Sequence, residues 1–90
     1  MTFLIICKDK ENLLQKRLNN RSSHLKYLKS LGDKLILAGP IIDKGGNPCG
    51  SILILDFKDI KKVNTFIQND PYSRVNLFKS VKIINFKKVL

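Results

Sequence analysis

Hydrophobic residues fall into four runs of strand length, separated by polar stretches. The runs are residues 2–8, 35–38, 51–57 and 80–89. Each is rich in β-branched and apolar side chains, which predicts a β-strand. Gly39-Pro40 should end the second strand. Residues 43–48 contain two adjacent glycines that permit the positive φ of a tight reversal, so they predict a hairpin between the second and third strands.

A helical pattern follows the first strand. The spacing i, i+3, i+4 and i+7 places four residues on one inward-facing side of a helix. They are His24, Tyr27, Leu28 and Leu31. Ser22 is suited to cap the beginning of this helix and Gly32 its end, whereas the turn-forming residues 19–22 should interrupt the short helical turn at 13–18.

A second helix is predicted between the third and fourth strands. Asp59 is a suitable N-cap, and Pro71 should stop the helix. The element order is then β-α-β-β-α-β, the ferredoxin-like arrangement of the α+β class, with a four-stranded antiparallel sheet and the helices on one face. No linker interrupts residues 1–90, which we expect to form a single domain.

Two of the predicted strands are apolar at every position, in residues 3–7 and 52–55. A sheet with one face in water would alternate apolar and polar side chains, so both faces should be covered. Two helices cover one face only. The pattern therefore predicts that a second copy of the chain covers the other, as a homodimer with a self-complementary contact.

The net charge of +10 raises the question of nucleic-acid binding. The excess is scattered lysine, accompanied by abundant Ile and Asn, which share AT-rich codons. Arginine occurs at positions 17, 21 and 74 only, and no basic stretch is interleaved with aromatic residues. We therefore expect the charge to be diffuse and any nucleic-acid binding to be weak and non-specific.

No apolar run approaches the roughly 20 residues of a membrane-spanning helix, so a cytoplasmic protein without membrane contact is expected. Cys7 and Cys49 lack metal-type spacing and are expected to be reduced thiols. No cluster of metal ligands, phosphate loop or dinucleotide fingerprint occurs. The expectation is a site with no metal and no cofactor.

His24 is the only histidine, and Asp70 directly precedes a proline. At the start of a helix, the dipole would favour a neutral imidazole able to act as a base. The alternative is a core histidine satisfied by a backbone carbonyl. Asp70 could equally be a turn residue whose carboxylate caps backbone amides.

Four short segments resemble the YciI-like (YCII-related) family of the dimeric α+β barrel superfamily, and the resemblance runs end to end. The segments are Arg21-Ser22-Ser23-His24-Leu25, Gly39-Pro40, Gly50-Ser51 and Asp70-Pro71-Tyr72. The resemblance implies that His24 and Asp70 form a catalytic acid-base pair. It also implies a dimeric barrel, in agreement with the strand pattern.

Five further residues are candidates for substrate binding. Arg21 could hold an anionic group, Ser51 a substrate oxygen, and Tyr72 could form an aromatic wall, while Gly39 and Pro40 would shape the rim of the pocket. The function expected is cofactor-free acid-base chemistry of the lyase, isomerase or hydrolase type on a small anionic or phenolic molecule. The alternative is a non-catalytic ligand-binding or interaction module with a vestigial pocket.

Overall fold

The computed structural model describes residues 1–90, and its strands form one antiparallel sheet in the order β2-β3-β1-β4. The elements are β1 (Thr2–Asp9), α1 (Leu14–Lys29), a 3₁₀ turn (Gly32–Lys34), β2 (Leu35–Ile42), β3 (Pro48–Asp56), α2 (Ile60–Gln68), α3 (Pro71–Arg74) and β4 (Phe78–Phe86). Apart from the 3₁₀ turn and the short α3, this order confirms the predicted ferredoxin-like fold.

The core lies between one face of the sheet and the helices. Alternate residues of β1 and β3 are buried, because successive side chains of a strand point to opposite faces. The core joins residues of the two central strands to residues of α1 and α2. The sheet contributes Phe3, Ile5, Leu53 and Leu55, and the helices contribute Leu28, Val63, Phe66 and Ile67. Both long helices therefore cover the same face, as predicted.

The other face of the sheet is also apolar at its centre. Leu4 pairs with Ile54 and Ile6 with Ile52, and these four side chains are only half-buried. No helix covers them. The alternation therefore places Leu53 in the core and its neighbour Ile54 on the outer face. The sequence could not decide between the two, because the strand is apolar at every position.

The interruption predicted at residues 19–22 is wrong, because α1 runs unbroken through it. Asn20 Nδ2 donates to the carbonyl oxygen of Lys16 at 2.8 Å, and Gln15 Nε2 donates to Asn19 Oδ1 at 2.8 Å. Both side chains are satisfied within the helix, Asn20 by the carbonyl four residues earlier, and neither replaces a backbone hydrogen bond that would end it. His24 accordingly lies in the second half of α1 rather than at its start, so the expected influence of the positive dipole end does not apply.

The pair Gly39-Pro40 does not end β2, which continues to Ile42. Pro40 is opposite Ser51 of β3, and β2 is an edge strand. An edge strand tolerates a residue without a backbone N–H, because only one of its sides is paired. The predicted hairpin follows, closed by the N–H of Asp43 donating to the carbonyl oxygen of Asn47 at 2.9 Å.

The beginning of α2 agrees with the prediction, and its end comes before Pro71 is reached. The Asp59 side chain accepts from the backbone N–H of Lys62 at 3.0 Å, which confirms it as the N-cap. The helix ends at Gln68, and Pro71 is the first residue of α3, where a missing N–H costs no hydrogen bond. No helix in the structure is both long and apolar enough to cross a membrane.

Candidate active site

A cavity of about 310 Å³ lies beside α1 and the β2–β3 hairpin. Six of the seven residues selected from the sequence line it: Arg21, His24, Gly39, Pro40, Ser51 and Tyr72. The seventh, Asp70, is 2% exposed and lies behind His24. The volume is at the small end of the range for ligand pockets, roughly 300–1,000 Å³, which suits a ligand of about one ring.

His24 and Asp70 are in direct contact. Nδ1 of His24 lies 2.8 Å from Oδ1 of Asp70, and both side chains are buried. An ionised carboxylate only accepts hydrogen bonds, so Nδ1 carries the hydrogen in this pair. In the neutral ring, Nε2 is then the nitrogen with a free lone pair.

Nε2 of His24 has access to the cavity. It makes no hydrogen bond, yet no buried side-chain nitrogen or oxygen lacks a partner. Nε2 must therefore touch accessible space, and His24 lines the cavity. The arrangement holds an imidazole whose hydrogen-bearing nitrogen is fixed and whose other nitrogen faces the cavity, which is the geometry that proton abstraction requires.

Asp70 has two functions at once. Its Oδ1 also accepts from the backbone N–H of Tyr72 at 2.9 Å, so the residue is the N-cap of α3. The capping role and the histidine-pairing role, which the sequence offered as alternatives, coexist in one carboxylate. The turn that carries Asp70 thereby positions Tyr72 beside His24.

Tyr72 lies between two side chains of α1. Its ring stacks on the imidazole of His24, with centroids 4.0 Å apart and planes 17° apart, and Arg17 Cζ lies 4.5 Å from its centroid. Positions 17 and 24 are two helical turns apart, about 10.5 Å along the axis, which leaves room for one ring between them. Burial raises the pKa of the Tyr72 hydroxyl, although Arg17 opposes the shift, so the phenol stays protonated at neutral pH.

Arg17 is a residue that sequence reasoning missed. It is only 4% exposed and forms a two-pronged ion pair with Asp9, with Nε to Oδ2 at 2.6 Å and Nη2 to Oδ1 at 2.9 Å. Burial by itself would lower the pKa of Arg17, but the hydrogen bond and charge of Asp9 outweigh it and raise the pKa. In a continuous helix, Arg17 and His24 lie on the same face, because they are seven residues apart. This relationship was not recognised from the sequence because a break was expected at residues 19–22.

Ser51 is engaged by the same arginine. Nη2 of Arg17 donates to Ser51 Oγ at 2.9 Å, and Ser51 is buried at the cavity wall. Arg21, one turn further along α1, is exposed at the rim. No group of three or more His, Cys, Asp or Glu side chains is arranged to hold a metal ion.

Comparison with known proteins places this chain in a family. The YCII-related domain matches residues 1–87. The protein YciI of Escherichia coli O6:H1 is 32% identical over 97 aligned positions, which cover 99% of each chain. The chain belongs to the YCII-related family. An uncharacterized protein of Haemophilus influenzae is 33% identical with the same coverage.

A solved structure with the same fold contains a ligand. The 5-chloro-2-hydroxyhydroquinone dehydrochlorinase of Burkholderia phenoliruptrix AC1100, in complex with 2,5-dihydroxybenzoquinone, is 34% identical to this YCII-related chain. The match covers 97% of this chain and 94% of the other, with a TM-score of 0.93. An antibiotic biosynthesis monooxygenase, 10% identical with a TM-score of 0.60, shares the fold alone and covers all of both chains.

Proposed function

We propose that this YCII-related protein is a cofactor-free acid-base enzyme that acts on small phenolic or quinonoid ring compounds. The observation that carries the proposal is the buried pair of His24 and Asp70 at the wall of a one-ring cavity. The structural likeness to a dehydrochlorinase holding a dihydroxybenzoquinone supports the substrate class.

The proposed reaction is an elimination. The substrate first moves one hydroxyl proton to the ring carbon that bears the leaving group, which makes that carbon tetrahedral. His24 Nε2 then takes a proton from a second hydroxyl, and the electron pair left behind moves through the conjugated ring toward that carbon. A leaving group such as chloride departs with its own bonding pair, so the net change is loss of one proton and one anion. The proton on His24 then passes to solvent, which regenerates the base.

Two neighbours favour the imidazolium that this step creates. Asp70 supplies a negative charge at Nδ1, 2.8 Å away. Tyr72 presents the face of its ring, which attracts a cation, at 4.0 Å. Since both contacts exist before a ligand binds, the charged ring would form without rearrangement of its surroundings.

The test uses 5-chloro-2-hydroxyhydroquinone and measures chloride release by the purified protein. We expect turnover that falls about 100-fold or more in His24→Ala. The matched control is Lys26→Ala, an exposed position two residues along the same helix, which should retain full activity. Equal turnover by His24→Ala would disprove the role of His24. Saturable binding without chemistry, across a set of halogenated phenols, would favour the non-catalytic module.

We further infer that the functional form is a homodimer built through the outer face of the sheet. Leu4, Ile6, Ile52 and Ile54 give this face an uncharged aliphatic centre, and a two-fold axis would set the same surface against itself. A stable contact of this kind buries at least about 1,000 Å². Sedimentation equilibrium at micromolar concentration tests it, and a folded monomer would contradict it.

A further inference from the structure

The guanidinium of Arg17 is held on one edge and one face. Asp9 takes hydrogen bonds from Nε and Nη2, and Ser51 takes a second one from Nη2. The face of the group lies over the ring of Tyr72. A guanidinium constrained in this way cannot turn, so its remaining donor has a fixed position.

That remaining donor is Nη1, and it is open to the cavity. Nη1 makes no hydrogen bond, and no buried side-chain nitrogen in the structure lacks a partner. Nη1 must therefore be accessible. Arg17 is otherwise buried and lines the cavity, so the accessible part of the residue faces the ligand space.

The distance between this donor and the base suits a small ring. The two separations measured from the Tyr72 centroid, 4.0 Å to the His24 ring and 4.5 Å to Arg17 Cζ, limit the distance between the two groups to at most about 8.5 Å. Because the Tyr72 ring fills the straight path between the two groups, a ligand would reach both from the cavity, through hydrogen bonds of roughly 2.8 Å. A one-ring compound with two oxygen substituents is large enough to contact both.

We propose that Arg17 is the anion-binding residue of this cavity and that the ligand is a one-ring compound carrying an ionised oxygen. This inference extends the proposed function to the charge of the substrate and assigns its oxyanion to Nη1. A hydrogen bond from an arginine to an anionic oxygen is markedly stronger than one to a neutral hydroxyl. Arg21 at the rim adds a positive charge that, unlike the charge of Arg17, is not paired with a carboxylate.

The test is calorimetric titration with 2,5-dihydroxybenzoquinone, a vinylogous carboxylic acid that is anionic at pH 7, and with hydroquinone, which is neutral. The unchanged protein should bind the anion at least about tenfold more tightly. Because Arg17→Met alone would leave Asp9 buried and unpaired, it is combined with Asp9→Asn to remove both charges together. Circular dichroism checks that this double variant folds.

The double variant should bind 2,5-dihydroxybenzoquinone about 10- to 100-fold more weakly, with hydroquinone binding unchanged. Loss of the Asp9 carboxylate cannot explain this result, since removing a negative charge favours an anion. The control Arg74→Met removes an exposed arginine outside the cavity and should bind normally. Equal binding of the two ligands by the unchanged protein, or full anion binding by the double variant, would overturn the inference.

A further variant separates this inference from the proposed function. His24→Ala should lose chloride release yet keep its preference for the anion, because Arg17 does not depend on the base for its position. If the unchanged protein prefers the anion but releases no chloride, the proposed function is wrong and the role of Arg17 stands. If the unchanged protein releases chloride and the double variant still binds the anion fully, the role of Arg17 is wrong and the proposed function stands.

Discussion

Asp70 Oδ1 accepts a hydrogen bond from His24 Nδ1 across 46 positions of sequence. The same oxygen accepts the backbone N–H of Tyr72, whose ring stacks on His24. One carboxylate therefore fixes the hydrogen of the imidazole and places the aromatic ring that covers it. The orientation of the His24 imidazole depends on a turn between α2 and α3 and not on its own helix alone.

Asp70→Asn should disturb the imidazole without unfolding the protein. The amide oxygen still accepts a hydrogen bond, but the negative charge that favours hydrogen on Nδ1 is lost. We expect the neutral ring to become a mixture of tautomers, seen in the ¹⁵N shifts of the single histidine. Asp33→Asn, at an exposed site, is the control. Unchanged nitrogen shifts in Asp70→Asn would show that the carboxylate does not select the tautomer.

Leu53→Lys and Ile54→Lys should have different effects although they are neighbours. Leu53 is 2% exposed in the core, so a lysine there should lower the free energy of unfolding by about 3 kcal/mol or more. Ile54 lies on the outer face, so its lysine variant should stay folded and fail to dimerise. Urea unfolding and sedimentation equilibrium measure the two effects. Equal loss of stability in both variants would contradict the assignment of faces.

Cys7 should resist alkylation in the native protein. Burial, reinforced by the charges of Asp70 and Asp9 against that of Arg17, raises the pKa of the Cys7 thiol to about 12. The thiolate is the reactive form, so iodoacetamide at pH 8 should label only the partly exposed Cys49. Urea should expose both thiols. In Cys49→Ser, rapid labelling of the folded protein would be incompatible with a buried, protonated Cys7.

Gly50→Ala should destabilise the fold. A Cβ at this position would collide with the backbone carbonyl oxygen of Cys7 on the neighbouring strand, which cannot move without shifting the sheet. The expected loss is about 1–3 kcal/mol in urea unfolding. Gly39→Ala is the matched control, because its Cβ would meet nothing within 4 Å, and its stability should change by less than about 0.5 kcal/mol. Similar losses in both variants would disprove the steric explanation.

Several features of the fold could be predicted from local sequence. The apolar runs located all four strands, and the Asp59 cap located the start of α2, because both signals depend on neighbouring residues. The pairing of His24 with Asp70 came from family resemblance rather than from spacing, since nothing local connects two positions 46 residues apart. Their catalytic role, like the roles of the other candidate residues, remains a prediction.

The sequence by itself determined the element order and the inward face that carries His24, because strand alternation and helical spacing are encoded locally. Only the tertiary structure decided that α1 is continuous, that Leu53 rather than Ile54 enters the core, and that Arg17 lies against Tyr72. Each of these depends on partners distant in sequence. The ion pair of Asp9 with Arg17 is the clearest case: a charged side chain on the inner side of a helix is stable only because β1 brings a carboxylate to meet it.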